Sequence, residues 1–445
     1  MGSAIDQIGE MSSDVYIDPE LFTKFNVKRG LRNADGTGVL AGLTRIGDVH
    51  GYMIDAGEKV AVDGKLFYRG IDVEDIVAAG QREERFCFEE TIYLLIFGQL
   101  PNREQLNDFT ELVGNCRILP RNFVDDAIMR FPSHDIMNQL ARCVLTLYSY
   151  DDDPENQSAE NVLRQSLELI SRFPTIVAYS YMAKKHYFDH ESLIIHMPDA
   201  GDSCAEIMLS LIRPDKQYSR LEAEILDLAL VLHAEHGGGN NSTFAVHLVS
   251  SADTDTFSAI AAGIGSLKGF KHGGANIKVM QMMDDIKQNI TNWEDEDEIA
   301  EYLLAILKGE AFDGTGLIYG LGHAVYTKTD PRTILLRNKA RALAEEKGLM
   351  DEFNLYCIIE RLGPEVFSRY KGMDKSICTN VDFFSGFVYK MLGIPSDLYT
   401  PLFAVSRIAG WCAHRMEEVI SGGKIIRPAY KCVQKRQEYI PEDKR

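Results

Sequence analysis

From Phe88 onward the sequence is dominated by the apolar spacing of amphipathic helices, and this spacing limits the possible folds more than any other feature. Residues 220–239, RLEAEILDLALVLHAEHGGG, show it most clearly, because apolar side chains recur every three or four positions and form one buried face. His236 continues that face by one turn. The glycines at 237–239 are expected to end the helix, since glycine readily adopts the left-handed conformation found after helix C-termini.

Strand-like sequence is confined to a short region near the start of the chain. The runs at 51–54, 59–62 and 65–68 are bounded by Gly and Asp, which suits small strands. Residues 1–38 are polar, and we expect them to form an arm. The sequence therefore predicts a mainly α protein with a small β element near the N-terminus.

Several of the later helices carry recognisable terminal signals. Asp330, followed by a proline, is typical of an N-cap, and Gly348 would close the same helix. Thr400, again followed by a proline, repeats the start signal. The stretch at 255–269, DTFSAIAAGIGSLKG, is rich in Ala, Gly and Ser, and small side chains let helices approach closely. We therefore expect this stretch to be a central, tightly packed helix.

Charge and cysteine content narrow the class of protein further. The formal net charge is −19 with a sequence pI of about 5.1, whereas a nucleic-acid binder usually shows a basic face. The eight cysteines are scattered and form no CxxC pair, which favours reduced thiols in a reducing compartment. The sequence shows neither a secretory signal nor the ~20-residue apolar run that spans a bilayer. We expect a cytoplasmic protein with neither nucleic acid nor membrane as a partner.

Several histidines lie next to glycines. His233 and His236 are three residues apart and could bind a metal, but the HExxH spacing is absent and His233 equally suits a satisfied core position. His272 precedes two glycines and a helical pattern, so it could be a neutral hydrogen-bond donor to an oxyanion or simply a turn residue. His323 follows three glycines, whose backbone could approach an anionic or bulky ligand closely.

An aspartate and three arginines occupy positions, at helix starts or beside apolar residues, where a charge without a partner or a function is unexpected. Asp382 precedes an apolar helix and could be its N-cap or a general base. Arg332 lies at a helix start, Arg407 lies between two aromatic residues one turn away on each side, and Arg427 follows an apolar pair. Arg407 and Arg427 could each form a structural salt bridge instead. Taken together, the arginines suit a small polycarboxylate, and the His and Asp set suits proton abstraction next to a carbonyl.

The motifs that contain these residues resemble those of the citrate synthase family, which includes the 2-methylcitrate synthases. The resemblance runs from about residue 40 to 430, and it rests most strongly on LHAEHGGGNNS, GIGSLKGFKHGGAN, GLGHAVYTKTDPR, TNVDFFSGFVYKMLGIP and LFAVSRIAGW. It implies a mostly helical homodimer with two domains in each subunit. The arm at 1–38 would precede a large domain of residues 39–272 and 388–445, with a small domain of residues 273–387 inserted.

The resemblance also implies a role for each candidate residue. His272 would hydrogen-bond the thioester carbonyl, Asp382 would remove a proton from the acyl methyl, and His323 would polarise the ketone of oxaloacetate. Oxaloacetate would be held by His236, Arg332, Arg407 and, from the other subunit, Arg427. The groups implied to contact CoA are Leu317, Ile318, Gly320, Leu321, Gly322, Ala324, Lys328 and Asn380. No metal or other cofactor is implied, because the acyl-CoA is a substrate.

Alternatives remain open at the level of the sequence. A 2-methylcitrate synthase would use propionyl-CoA instead of acetyl-CoA, and one methylene is worth only ~1–3 kcal/mol of discrimination. A non-catalytic relative and a metalloenzyme that uses the histidines are further possibilities. The chain also departs from the family's common sequence motif, because Glu235 stands where Asp is usual and Gly237 where an acidic residue is usual. Thr327 replaces a frequent basic residue, which puts one CoA phosphate contact in doubt.

Overall fold

The computed structural model describes residues 16–33, 36–55, 58–372 and 377–444, and most of them are helical. The α-helices of these ranges are, in chain order, α1 (Glu20–Lys24), α2 (Val73–Glu83), α3 (Phe88–Phe97), α4 (Arg103–Asn115), α5 (Ile136–Leu147), α6 (Ala159–Phe188), α7 (Cys204–Ile212), α8 (Arg220–His233), α9 (Asn241–Ser250), α10 (Thr256–Leu267), α11 (Ala275–Asn289), α12 (Glu296–Lys308), α13 (Pro331–Lys347), α14 (Met350–Lys371), α15 (Asp382–Met391) and α16 (Tyr399–Ser421). Short 3-10 turns lie at Arg29–Leu31, Tyr148–Tyr150, Ser396–Leu398 and Glu442–Lys444, and a π-helical turn lies at Val124–Met129. The predicted mainly α class is confirmed.

The predicted small β element is an antiparallel three-stranded sheet in the order β1 (Gly47–Asp55), β2 (Glu58–Tyr68) and β3 (Ile71–Asp72). The two strand-like runs at 59–62 and 65–68 form one strand, β2, rather than two. A continuous β1 partner explains the merger, since it pairs with both halves of β2 across a register shift. Of the predicted arm, residues 1–15 and 34–35 lie outside the described part of the chain.

The core is built around α16, most of which is buried between α6, α9, α10 and α3. Trp411 on this helix is fully buried. A Cβ atom added to Gly263 of α10 would lie 2.8 Å from Val246 and 3.2 Å from the Trp411 ring, so only glycine permits this approach. The small-residue stretch is therefore the tightly packed central helix that its composition predicts. Among the helices of the described ranges, none combines the length and apolarity of a membrane span.

The predicted ends of α13 are confirmed, whereas the predicted start of α16 is wrong. Asp330 caps α13 by accepting a hydrogen bond from the backbone N–H of Arg332, and Gly348 follows the helix with a φ of 67°. Thr400 is not an N-cap, because α16 begins one residue earlier at Tyr399. The Thr400 hydroxyl instead donates to the carbonyl of Gly273 at 2.8 Å, which connects α16 to the segment that follows α10.

Helix α8 ends at His233, and three residues separate it from the glycines that were expected to end it. Groups from elsewhere in the fold bind the last carbonyl oxygens: Nε of Arg407 donates to the His233 carbonyl at 2.6 Å, and the Tyr68 hydroxyl donates to that of Val231 at 2.8 Å. These tertiary donors replace the intrahelical bonds of another turn. His236 is therefore not on the helix face, as its spacing suggests, but in the irregular segment beyond it.

Candidate active site

Two loops meet where the glycine-rich segment before His323 is hydrogen-bonded to the segment before α15. Gly322 donates its N–H to the Cys378 carbonyl at 2.7 Å, and Asn380 donates its N–H to the Gly320 carbonyl at 2.9 Å. The side-chain amide of Asn380 also donates to the Gly322 carbonyl at 2.8 Å. This network places the loop that carries His323 beside the start of α15, although the two are far apart in the sequence.

Gly320 is the position in this network where a side chain is least tolerable, which gives a first prediction. Its φ is 78°, and an added Cβ would lie 2.8 Å from Phe383 and 2.9 Å from Val279. We expect Gly320→Ala to lower the free energy of unfolding by about 2–5 kcal/mol, because left-handed strain and overpacking add. Gly348→Ala is the control, since φ is 67° there with nothing within 4 Å. Equal losses in urea unfolding would contradict the packing argument.

The small sheet supports the segment that follows His323. Gly64 of β2 donates its N–H to the Thr329 hydroxyl at 2.9 Å, and a Cβ at Gly64 would lie 2.2 Å from the Thr329 carbonyl oxygen. The Tyr326 hydroxyl donates to the Lys65 carbonyl at 3.3 Å. The sheet therefore packs against and supports the segment that follows His323.

The hydrogen bonds of His323 fix its tautomer. The backbone N–H groups of Val325 and Tyr326 both donate to Nδ1 at 3.0 Å, so Nδ1 is an acceptor and Nε2 carries the proton. The ring stacks on that of Tyr326 with centroids 4.6 Å apart. Burial, together with the positive charge of Arg332, lowers the pKa of His323 to about 4. At neutral pH His323 is therefore a neutral imidazole whose Nε2–H is available as a donor.

His236 lies against His323, with ring centroids 5.0 Å apart and the ring planes perpendicular. Its Nε2 is buried and has no hydrogen-bond partner among the described residues. Burial lowers the pKa of His236 well below its ordinary value, and the charge of Arg332 lowers it further. A buried polar atom without a partner is costly, so this nitrogen suggests a polar ligand.

His233 has a structural role, as one of the two sequence interpretations held. Its Nδ1 donates to the Ala229 carbonyl at 2.7 Å within α8, and the side chain is buried. Burial lowers the pKa of His233 to about 3, so the ring stays neutral. Among the described residues, neither His233 nor His236 belongs to a group of three or more possible metal ligands.

His272 lies in the turn between α10 and α11, and it precedes the first residue of α11 by three positions. Its Nε2 is 3.1 Å from the Ser242 hydroxyl, which also accepts a hydrogen bond from Nε1 of Trp411 at 3.1 Å. Burial lowers the pKa of His272 to about 4, and Arg407 adds to this effect. The ring is neutral and held at one nitrogen. Ser242 was not singled out from the sequence, although it lies within the LHAEHGGGNNST motif.

Arg332 is buried and paired in the protein itself. Its Nε and Nη2 bind the two carboxylate oxygens of Asp330 at 3.0 and 2.7 Å, a bidentate arrangement that fixes the plane of the guanidinium. Burial alone would lower the pKa of Arg332, but the Asp330 carboxylate raises it above its usual range. The structural salt bridge and the binding role are therefore compatible, because Asp330 orients the cation.

Arg407 is buried, and no carboxylate of the described residues forms an ion pair with it. Its Nε donates to the His233 carbonyl at 2.6 Å, and its guanidinium carbon lies 4.7 Å from the centre of the Phe403 ring. Nη1 is buried and has no hydrogen-bond partner within the described ranges. Burial lowers the pKa of Arg407 to about 10, against the opposing charge of Glu235. A buried cation with an unused donor favours an anionic ligand.

Asp382 is the first residue of α15, and the N-cap interpretation of it is wrong. The N-cap position is Val381, whose side chain makes no capping hydrogen bond. The backbone N–H of Asp382 donates to Oδ1 of Asn380 at 3.1 Å, so Asn380 does locally what a capping carboxylate would do. Burial raises the pKa of Asp382 to about 6, despite the lowering effect of Arg332. The Asp382 carboxylate is therefore more basic than that of an ordinary aspartate, and it is available to accept a proton.

The remaining candidates lie outside this cluster or at its edge. Arg427 is exposed in the irregular segment after α16. Lys328 is exposed and pairs with Asp63 at 3.0 Å. Leu317 is 55% exposed, whereas Ile318 is buried. Of the other candidates in the glycine-rich segment, Gly320 is buried, Leu321 and Gly322 are partly buried and Ala324 is exposed.

The assembled groups define the chemistry that is available. Two neutral imidazoles, His236 and His323, lie in contact, and the charges of Arg332 and Arg407 act on His236. Nε2 of His236 and Nη1 of Arg407 have no hydrogen-bond partner among the described residues, which suits a small dianion with a polarisable carbonyl. One carboxylate with a raised pKa is suited to removing a proton from carbon, provided that the developing charge is stabilised.

Known proteins are similar to this chain over nearly its whole length. A family profile described as "Citrate synthase, C-terminal domain" matches residues 34–429. The citrate synthase of Haloferax volcanii is 32% identical over 94% of this chain and 99% of its own length. The 2-methylcitrate synthase 1 of Corynebacterium glutamicum is 34% identical over 85% of this chain and 92% of its own length.

A solved structure is similar in fold as well. The Thermoplasma acidophilum citrate synthase, in a ternary complex with carboxymethyl coenzyme A and oxaloacetate, matches with a TM-score of 0.76 at 26% identity. The match covers 94% of this chain and 99% of that one. The extent of the profile match and the identity to full-length relatives together show that this chain belongs to the citrate synthase family.

Proposed function

We propose that this enzyme condenses acetyl-CoA with oxaloacetate and water to give citrate and CoA. The observation that carries the proposal is the pair of buried, unpartnered nitrogen atoms, Nη1 of Arg407 and Nε2 of His236, beside the oriented guanidinium of Arg332. A dicarboxylate with a ketone would satisfy these groups together. The same reaction would place the enzyme at the entry to the tricarboxylic acid cycle.

The chemistry would begin with enolisation of the acyl group. Ionised Asp382 would take a proton from the methyl carbon, and the C–H electron pair would move toward the thioester carbonyl. His272 would donate a hydrogen bond to that oxygen from Nδ1. This tautomer requires Nε2 to accept from the Ser242 hydroxyl, which would have to turn its proton from Oδ1 of Asn240 toward His272. One such donor is typically worth ~2.7–4 kcal/mol in the transition state.

Carbon–carbon bond formation would follow. The enol or enolate carbon would attack the ketone of oxaloacetate, and Nε2–H of His323 would donate to the oxygen that becomes the alkoxide and then the hydroxyl. Val325 and Tyr326 support this role, because their N–H groups keep Nδ1 of His323 unprotonated. Water would finally cleave the citryl thioester, giving citrate and free CoA thiol.

CoA would bind along the glycine-rich segment. We propose contacts from Leu317, Ile318, Gly320, Leu321, Gly322, Ala324, Lys328 and Asn380. Exposure of Leu317 and Ala324 at the surface beside His323 supports this proposal. The side-chain amide of Asn380 donates to the Gly322 carbonyl, so Asn380 would also hold the glycine-rich segment in the conformation that contacts CoA.

A 2-methylcitrate synthase is the second candidate, because a relative of that name is 34% identical to this chain. Free-thiol release should be followed with oxaloacetate and either acetyl-CoA or propionyl-CoA. A higher kcat/KM for acetyl-CoA supports citrate synthase, and a higher value for propionyl-CoA supports 2-methylcitrate synthase. No thiol from either substrate would overturn both candidates.

The raised pKa of Asp382 predicts the pH dependence. We expect kcat/KM to fall about tenfold per pH unit below pH 6, because only the ionised carboxylate is a base. His272 and His323, whose pKa values are about 4, remain neutral through most of this range. The profile should therefore show a single acid limb. A profile that stays flat to pH 5 would contradict the assignment of Asp382.

We further propose that the enzyme is a cytoplasmic homodimer in which Arg427 completes the oxaloacetate site of the partner subunit. Exposure of Arg427 in the irregular segment after α16 supports this proposal. We expect Arg427→Ala to weaken oxaloacetate binding. Mixed dimers of Arg427→Ala and Asp382→Asn chains should regain activity, because one of their two sites carries both native residues. Mixtures as inactive as the two variants alone would rule out a site shared between subunits.

The two-domain division also belongs to the proposal. The boundary at 272/273 lies just before α11, between two helices, whereas the boundary at 387/388 falls within α15. A hinge at the second boundary would have to lie at an end of that helix. Closure of the 273–387 domain over oxaloacetate would exclude water until condensation is complete.

A further inference from the structure

A second cluster of metal-binding side chains lies where α9 meets α16, behind the segment that carries His236. Nε2 of His247 and Nδ1 of His414 are 2.9 Å apart. Oε2 of Glu417 is 3.8 Å from Nδ1 of His414. These three ligand atoms all lie within 4.8 Å of one another, close enough to share one ion. None of these residues has a role in the proposed condensation.

The other nitrogen of each imidazole faces a carboxylate. Nε2 of His414 is 3.0 Å from Oε1 of Glu235, and Nδ1 of His247 is 3.1 Å from Oε2 of Glu418. A carboxylate accepts a hydrogen bond, so each outer nitrogen carries its proton, and two neutral rings would then point bare lone pairs at each other. Histidines that bind metals have this same pattern, with the outer N–H donated to a carboxylate.

Glu417 supplies the third ligand. Its Oε1 accepts a hydrogen bond from the backbone N–H of Arg45 at 2.7 Å. Its Oε2 is buried and has no hydrogen-bond partner in the described part of the chain. Across the same ranges, no lysine or arginine forms an ion pair with Glu235, Glu417 or Glu418. The cluster therefore combines negative charge with unused ligand atoms, which a cation would satisfy.

We propose that His247, His414 and Glu417 bind a divalent transition-metal ion of the zinc type. Two imidazoles and a carboxylate are a ligand set that such ions accept, and a fourth position would remain for solvent. The side chains of His247 and Glu417 are 13% and 16% exposed, so the site can be reached from the surface. The ion has a structural role: it joins α9 to α16.

The ion would also act on the segment beside His236. His414 binds Glu235, which also accepts a hydrogen bond from the N–H of Gly237. Glu235 is closely packed, because Cβ atoms at Gly47 and Gly410 would lie 2.7 Å from its Cγ and 2.4 Å from its Oε2. The glycines leave room for a glutamate where the family motif commonly has the shorter aspartate. An effect of metal on oxaloacetate binding would follow, and that consequence alone rests on the proposed function.

The test uses the untagged protein without substrates, so its outcome is independent of the condensation. The metal-free protein is titrated with Co²⁺, whose visible spectrum reports both geometry and ligand type. We expect about one equivalent to bind per chain with tetrahedral d–d bands. No sulfur-to-metal charge-transfer band should appear, since none of the eight cysteines belongs to the cluster. Addition of Zn²⁺ should displace the Co²⁺ and raise the thermal midpoint.

Two conservative variants and one control make the result decisive. His247→Gln and Glu417→Gln should each weaken Co²⁺ binding by at least about tenfold and abolish the shift in thermal midpoint. His186→Gln, at an exposed histidine outside the cluster, should bind like the wild type. Circular dichroism checks that each variant is folded. Three results would overturn the proposal: no stoichiometric binding, a thiolate charge-transfer band, or equal affinity in all variants. In the absence of stoichiometric binding, a proton shared by the imidazoles of His247 and His414 would account for their short separation.

Discussion

Asp382→Asn is expected to lower kcat by about two to four orders of magnitude while oxaloacetate still binds, because the substitution removes the base and little else. The carboxylate makes no capping hydrogen bond to α15, and the Asp382 backbone N–H is bound by Asn380. The asparagine has nearly the same shape, so the fold should be kept. Thiol-release kinetics and calorimetric titration with oxaloacetate measure the two effects separately.

The same variant should be more stable than the wild type at pH 8. Burial raises the pKa of Asp382 from 3.8 to about 6, so the ionised carboxylate destabilises the folded state above pH 6. Two pKa units correspond to about 3 kcal/mol, and asparagine removes that cost. Because the folded state binds the proton more tightly, the difference should shrink as the pH falls from 6 to below 4. A variant that is less stable than the wild type at pH 8 would assign Asp382 a structural role.

Arg407→Met should separate binding from stability. Nη1 of Arg407 has no partner among the described residues, so its loss removes a buried cation that nothing within the fold neutralises directly. We expect the free energy of unfolding to change by only about 1 kcal/mol, the value of its hydrogen bond to the His233 carbonyl. Oxaloacetate binding should weaken by about 2–5 kcal/mol, because a buried charge-assisted bond to a carboxylate is lost.

Arg332→Met is the matched contrast on an arginine of similar burial. Asp330 binds this guanidinium through both carboxylate oxygens, and without it Asp330 would remain as a buried charge that, within the described ranges, only the backbone N–H of residue 332 contacts. We expect a loss of about 3–5 kcal/mol in urea unfolding. Adding Asp330→Asn should recover much of that loss. If Arg407→Met proved as destabilising as Arg332→Met, the distinction between an unpaired and a paired arginine would be wrong.

The sequence was informative where a local pattern decides the structure. Helical spacing predicted the mainly α class, and Asp330 and Gly348 marked both ends of α13. Where tertiary contacts compete with local conformational preference, the sequence pattern predicted the wrong helix end. Helix α8 ends before its glycines because Arg407 and Tyr68 bind its final carbonyl oxygens. Both donors come from distant segments, so no local signal could have revealed them.

The candidate site shows the same limit. His236, His323, Arg332, Arg407 and Asp382 were singled out from their own neighbourhoods, and the structure brings them within electrostatic reach of one another. The sequence could not show which groups would be left without partners. It gave no indication that Nδ1 of His323 is bound twice, nor that Nη1 of Arg407 is bound by nothing within the described ranges. These properties depend on the packing of the glycine loop and α16.

The most direct test of the central claim is the identity of the product formed from acyl-CoA and oxaloacetate. Mass spectrometry of a reaction with acetyl-CoA should find citrate accumulating in step with free CoA, while oxaloacetate falls equally. With propionyl-CoA the corresponding product would be 2-methylcitrate. Formation of acetate or propionate with oxaloacetate unchanged would mean simple thioester hydrolysis. That result would contradict the assignment of Asp382 as the base for carbon–carbon bond formation.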